Sequence, residues 1–202
     1  MKKDNFYAVR KGRKPGVYRT WDQCKAQVTG YAGSEYKKFN SLEEANAFIA
    51  PQETLELGSG IGKDEIIAYV DGSYNQSSKV FGYGVILIDW DGKETVYNGC
   101  DDKADYAVHR NVAGEVYGSQ KAIEEAIRLK KKKIYLHYDY KGIACWAKGE
   151  WKTNKLLTQR YKSYIDGVKD QIEIVFIKVK AHSNDKYNDV VDRLAKEACG
   201  IA

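Results

Sequence analysis

Two apolar runs in this chain end in aspartate: "IIAYVD" ends at Asp71 and "KIYLHYD" at Asp139. Each run reads as a buried strand. An ionised carboxylate in such a place costs several kcal/mol unless a cation stands against it, and no basic residue adjoins Asp71 in the sequence. A helical crossover between the runs makes their strands parallel, and sites in open α/β sheets form beyond the carboxyl ends of such strands. Two carboxylates there repel each other without a cation between them. Glu115 enters from the first turn of a long helix, in "RNVAGEVYG", beside glycines that allow close backbone approach. Asp192 enters from the closing helix, whose apolar stripe is Val191, Leu194, Ala195 and Ala198. Asn188, one turn earlier, shares its face.

Four acids from four elements, with no cysteine and little histidine among them, make an oxygen donor set. Such ligands suit Mg²⁺ or Mn²⁺ and not zinc. Two such ions about 3.5–4 Å apart activate a water and stabilise the leaving oxygen in phosphodiester hydrolysis. Taken singly, each acid among the 28 in the chain reads better as a cap, a turn or a solvated residue. Only the combination favours a site.

The elements that must position these acids follow from the hydrophobic pattern. "IIAYVD", "FGYGVILID" and "ETVYNGC" read as three antiparallel strands, the last two joined at "DWDGK". A helix over about Val112–Leu129, the strand "KIYLHYD", a helical region from Gly142 to Asp166, the strand "IEIVFIKV" and a helix to Ala198 complete a mixed α/β sheet. Ahead of it, "FYAVRKG" and "VYRT" flank the turn "RKPG" as a hairpin, and "EYKKF" reads as a short strand. Thr20 with Gln23 and Ser41 with Glu44 are capping-box pairs, each opening a helix. The order there is β-β-α-β-α. Between the two parts, "APQETLELGSGIGKDE" carries no periodic pattern. The reading is a small domain at 1–50, a linker at 51–64 and a larger domain at 65–202.

Charge divides along the same line. Residues 1–50 hold ten Lys/Arg and five Asp/Glu, which accounts for the whole net charge of +5; the remainder balances at 23 of each sign. That asymmetry suggests a polyanion-binding module on a neutral body. The run Lys130–Lys133 ends a helix, where cations suit the dipole, and reads as a solvated helix end. Four widely spaced cysteines indicate reduced thiols, hence a cytoplasmic setting. No apolar run is long enough to span a bilayer, no signal-peptide pattern opens the chain, and no heptad calls for a partner copy, so a monomer is expected.

"IIAYVDGSYN", "RNVAGE", "YLHYD" and "VKAHSNDKYNDVVDRLAKEA" together resemble the type 1 ribonuclease H family. The stretch from "FYAVRKGRKPG" to "EEANAFI" is similar to the hybrid-binding, viroplasmin-like domain that precedes the catalytic domain in some members. The resemblance implies a ribonuclease H-like five-stranded sheet flanked by helices. It also implies endonucleolytic cleavage of RNA in RNA/DNA hybrids by two Mg²⁺ ions (Mn²⁺ as an alternative), leaving 5′-phosphate and 3′-hydroxyl ends. Its four metal ligands fall on Asp71, Glu115, Asp139 and Asp192. The spacing from His182 and the sequence "DRLA" select Asp192 over Asp185, with Asp189 kept as a secondary candidate. His182 would assist product departure or proton transfer. Asn75, Asn111 and Asn188 are the matching amides near substrate, although Asn75 reads equally well as turn chemistry. In the first domain, Tyr7, Trp21, Lys37 and Lys38 would meet the DNA strand, with Arg10 and Arg13 in the loop that approaches RNA. The helical spacing of Trp21, Cys24, Val28 and Tyr31 also allows Trp21 a place in the core. Val112 and Tyr140-Lys141 depart from the family pattern beside the acids and change what is offered to substrate there. A hybrid- or duplex-RNA-binding protein without catalysis is the alternative expectation.

Overall fold

The computed structural model describes residues 5–49, 60–179 and 186–201, apart from the side chain of residue 47. The chain divides into two compact units, Met1–Thr54 and Leu55–Ala202.

In the first unit, β1 (Phe6–Lys11) pairs antiparallel with β2 (Gly16–Tyr18) on one side and β3 (Glu35–Phe39) on the other. Helix α1 (Trp21–Val28) lies between β2 and β3 in the chain, and α2 (Leu42–Ile49) follows β3. This is the β-β-α-β-α order read from the sequence. The period of two in β1 sorts its side chains: Phe6 and Ala8 pack with Ala45 of α2, while Val9 packs with Cys24 and Val28 of α1. The Thr20 hydroxyl accepts from the Gln23 amide as expected of a helix cap. The Ser41 hydroxyl accepts instead from Glu43, two residues on, which corrects the pairing expected with Glu44.

The second unit is built on a five-stranded sheet of order β6-β5-β4-β7-β8. Its strands are β4 (Glu65–Asn75), β5 (Val80–Asp89), β6 (Glu94–Asp101), β7 (Lys133–Tyr138) and β8 (Glu173–Lys178). β4, β5 and β6 are antiparallel neighbours; β7 and β8 run parallel to β4. The helices are α3 (Ala104–Ala107), α4 (Asn111–Arg128), α5 (Gly142–Ala147), α6 (Leu156–Val168) and α7 (Lys186–Ala198). Alternation in β4 again makes two layers. Ile66, Ala68 and Val70 join Val116 and Ile123 of α4 in the main core, and Ile67 and Tyr69 meet Val191 of α7 on the opposite face.

Two expectations change. The helical region expected from Gly142 to Asp166 is two helices, because Gly149 turns the chain at φ +75° and the Glu150 and Trp151 amides both close onto the Cys145 carbonyl. Lys131 is not a solvated helix end: it is buried, with Nζ 2.5 Å from Asp89 and 2.6 Å from the Lys63 carbonyl. The expected linker falls mostly outside the described residues, which resume at Gly60.

Candidate metal centre and nucleic-acid interface

Asp71 does not end its strand. β5 keeps pairing with β4 as far as Asn75, placing Gly84 opposite Asp71. The parallel neighbour stops sooner: the last β4–β7 pair is Tyr69 with His137, and β7 ends at Tyr138. Asp71 and Asp139 each lie two residues beyond that last pair, so the acids stand side by side where β7 gives out. Glu115 arrives from the first turns of α4, which sits against β4 through two glycines. A Cβ on Gly72 would collide with the Asn111 carbonyl and the Glu115 amide, and a Cβ on Gly114 would collide with the Gly82 carbonyl.

The result is a cluster in which one carboxylate oxygen from each of Asp71, Glu115 and Asp139 lies within 4.8 Å of the others. Glu115 is only 1% exposed and Asp71 9%. Burial pushes the Asp71 carboxyl up to about 6, the negative Asp139 and Asp192 adding to it, while the Gly72 amide donating to Oδ1 at 2.7 Å works against it. Complete burial, followed by Asp139 and Asp71, raises Glu115 well above the ordinary carboxylate range. Glu115 Oε2 is sealed from solvent and has no hydrogen-bond partner among the described residues. Crowded carboxylates with an orphaned oxygen, and neither sulfur nor nitrogen in the set, fit a hard divalent cation.

Asp192 lines the same open cleft, together with Gly72, Asn111, Asn188 and Asp189. Its Oδ2, however, accepts from Lys196 Nζ at 2.7 Å, and it stands outside the three-acid cluster at the rim. Asn188 is buried and Asn111 exposed at the start of α4. Arg110, just before it, has φ +55°, a conformation that non-glycine residues rarely adopt and that clusters at functional sites. Asn75 is drawn elsewhere: Nδ2 donates to the Cys199 carbonyl at 2.9 Å and Oδ1 accepts from the Ser77 and Ser78 amides. Its amide therefore ties the end of β4 to the end of α7. Val112 and Tyr140 are partly buried against the main core, with the Tyr140 ring 5.6 Å from that of Trp146. His182 and Asp185 lie outside the described residues.

In the first unit, Trp21 is 41% exposed, which decides against a place in the core. Its ring is flanked by Tyr7 at 5.8 Å and Tyr36 at 5.7 Å, and Lys38 Nζ sits 5.9 Å from the Tyr7 ring centre. Tyr36 was missed by the sequence reading, though its spacing of two from Lys38 in "EYKKF" puts both on one face of β3. The same alternation sends Lys37 to the other face, 5.5 Å from the Phe39 ring centre. Arg10 and Arg13 are engaged within the unit. Arg10 Nε donates to the Phe48 carbonyl at 2.8 Å, with the guanidinium 4.2 Å from that ring's centre. Arg13 Nη1 donates to the Ala26 and Thr29 carbonyls, satisfying the carboxyl end of α1.

A mixed sheet in this strand order, carrying a three-acid cluster where the parallel pairing ends, defines a ribonuclease H-type catalytic fold. Solved structures agree. RNase H1 from Halobacterium salinarum superposes with a TM-score of 0.57 at 21% identity, over 68% of this chain and 99% of that one. LC11-RNase H1, solved in complex with an RNA/DNA hybrid, gives 0.54 at 19% identity, over 67% and 96%. Residues 63–200 match the RNase H family and residues 5–49 the ribonuclease H1 N-terminal domain. The chain belongs to the ribonuclease H family. Human ribonuclease H1 is 26% identical over 95% of this chain and 88% of its own length. A ribonuclease H of Saccharomyces cerevisiae is 59% identical over 56 residues, which are 27% of this chain and 16% of that protein.

Proposed function

We propose that this chain is a metal-dependent endonuclease that cleaves the RNA strand of RNA/DNA hybrids, leaving 5′-phosphate and 3′-hydroxyl ends. The observation that carries the reading is the convergence of Asp71, Glu115 and Asp139, with Asp192 at the rim, in a chain of this family. These residues would hold two Mg²⁺ ions, or Mn²⁺ in their place. Ions so held supply charge stabilisation at the phosphate and lower the pKa of the attacking water.

The residues of the chain do the rest. The Gly72 amide fixes the direction of the Asp71 carboxylate. Glu115 offers its carboxylate to the cluster from the buried side. Asn111 and Asn188 offer amides along it, able both to donate to and to accept from 2′-hydroxyls and base edges. His182 is assigned to proton transfer or product departure, as the family resemblance implies. In the first unit, Trp21, Tyr7 and Tyr36 offer a flat surface to sugar and base, and Lys38 a cation to phosphate. The hybrid in the LC11-RNase H1 complex supports the choice of substrate. Four free cysteines support a cytoplasmic setting, and we assign the chain as a monomer. Among the described residues, no helix is long and apolar enough to cross a membrane.

A cleavage gel tests this. An RNA strand labelled at one end is offered alone, paired with DNA and paired with RNA, with Mg²⁺, Mn²⁺ or chelator. Internal cuts confined to the hybrid and abolished by chelator are expected. Binding without cutting under either metal would overturn the catalytic reading in favour of a hybrid-binding protein.

A further inference from the structure

Beneath the acid cluster lies a second polar group of atoms that the cleft does not reach. Ser119 follows Glu115 by one helical turn on α4, so the two share a face. α6 packs on α4 and brings in Tyr161. Ser119 and Tyr161 are both 0% exposed. Glu115 Oε2, Ser119 Oγ and the Tyr161 hydroxyl are all sealed from solvent, and among the described residues none makes a well-formed hydrogen bond, the Ser119 and Tyr161 hydroxyls lying only near each other. They are neighbours: the Tyr161 phenol, driven up by burial, is eased by the Ser119 hydroxyl and feels the charge of Glu115.

Nearly all buried polar atoms in folded proteins find a partner, and leaving one unmet is costly. Glu115 Oε2 without a partner, beside two hydroxyls whose hydrogen-bonding capacity is not filled, meets the requirement for an internal water, which typically makes about three hydrogen bonds to buried polar groups. Packing alone would be served by Ala at 119 and Phe at 161, so the two hydroxyls need another reason.

We propose that Ser119 and Tyr161 are positioning residues for Glu115, holding its Oε2 through one internal water and so setting the direction from which this carboxylate meets a divalent cation. Neither touches substrate. The inference rests on the metal-site reading of Asp71, Glu115 and Asp139.

The test is a Mn²⁺ titration of the full chain without substrate, followed by the free-ion EPR signal, on wild type, Ser119→Ala, Tyr161→Phe and the double variant. Ile123→Val, fully buried on the same helix, is the control for loss of packing. Each hydroxyl deletion is expected to weaken Mn²⁺ binding about tenfold or more, as removing a partner of a metal-ligating group does elsewhere. The double variant is expected to lose little beyond either single one, because the three groups act as a unit. Ile123→Val is expected to lower thermal stability and leave Mn²⁺ affinity unchanged. Affinities in both hydroxyl variants equal to wild type, or falling no further than in Ile123→Val, would overturn the proposal and leave the metal site standing. Wild type that binds no Mn²⁺ would overturn both.

Discussion

Gly72 and Gly114 lie in contact across β4 and α4: a Cβ on Gly114 would collide with Gly82 and press on the Gly72 Cα. Each glycine is the chain neighbour of an acid, Asp71 in one case and Glu115 in the other. The closeness of the two backbones therefore sets the separation of two carboxylates. Gly72→Ala and Gly114→Ala are expected to cost about 1–3 kcal/mol by overpacking and to abolish divalent-cation binding. Urea denaturation and a cation titration read the two effects. A variant that keeps full cation affinity would show that the contact does not set the ligand geometry.

Asp71→Asn is expected to reduce hybrid cleavage by about 10²-fold or more while stabilising the metal-free protein. The sign follows from the raised carboxyl. With a folded value of about 6 against an ordinary value near 3.9, the native state holds the proton more tightly than the unfolded state. Its contribution is full below about pH 4 and is lost as pH rises through 6, an effect on the order of 3 kcal/mol. Glu115 acts in the same direction. Thermal melts from pH 4 to 8 in chelator should fall across that window, flatten on adding Mg²⁺ and flatten in Asp71→Asn. A flat wild-type profile in chelator would contradict the buried repulsion.

Glu125 titrates the other way. Lys121 Nζ at 2.8 Å, with Arg128 and the Tyr97 hydroxyl, holds its carboxyl down at about 2 despite burial. Stability from this group is present above the ordinary value near 4.3 and is lost as pH falls through 2. Glu125→Gln is expected to cost about 1.5–3 kcal/mol at pH 7 and little at or below pH 2, measured by urea denaturation. An equal cost at both pH values would assign the loss to packing.

Trp21→Ala in the full chain is expected to weaken hybrid binding by about 1–3 kcal/mol. Lys38→Ala should weaken it less and reduce the salt slope by about one. Arg10→Ala should instead lower the stability of the first unit, because its guanidinium is spent on Phe48 and Glu35. Filter binding across salt concentrations, with thermal melts, separates these outcomes. Arg10→Ala with unchanged melting and weakened binding would return Arg10 to the interface.

Much of the fold is legible in local pattern. The apolar runs in "IIAYVD" and "KIYLHYD" name the strands, the crossover makes them parallel, and two acids at the ends of those runs without adjoining basic residues imply a cation. The glycine in "RNVAGE" and the hydroxyl of Thr20 mark a close approach and a helix start from a few adjacent residues. Other features depend on which groups meet across the fold, and no local pattern encodes that competition. Asp192 accepts from Lys196 at the rim. Lys131 is drawn inward by Asp89, 42 positions away. Asn75 is committed to Cys199, and Arg13 to the end of α1. A charged or amide side chain of given type binds whichever partner the backbone brings within 3 Å or so. The sequence by itself determined which elements form and which acids could gather. Only the tertiary structure decided which side chains remained free to act, because long-range packing chooses their partners.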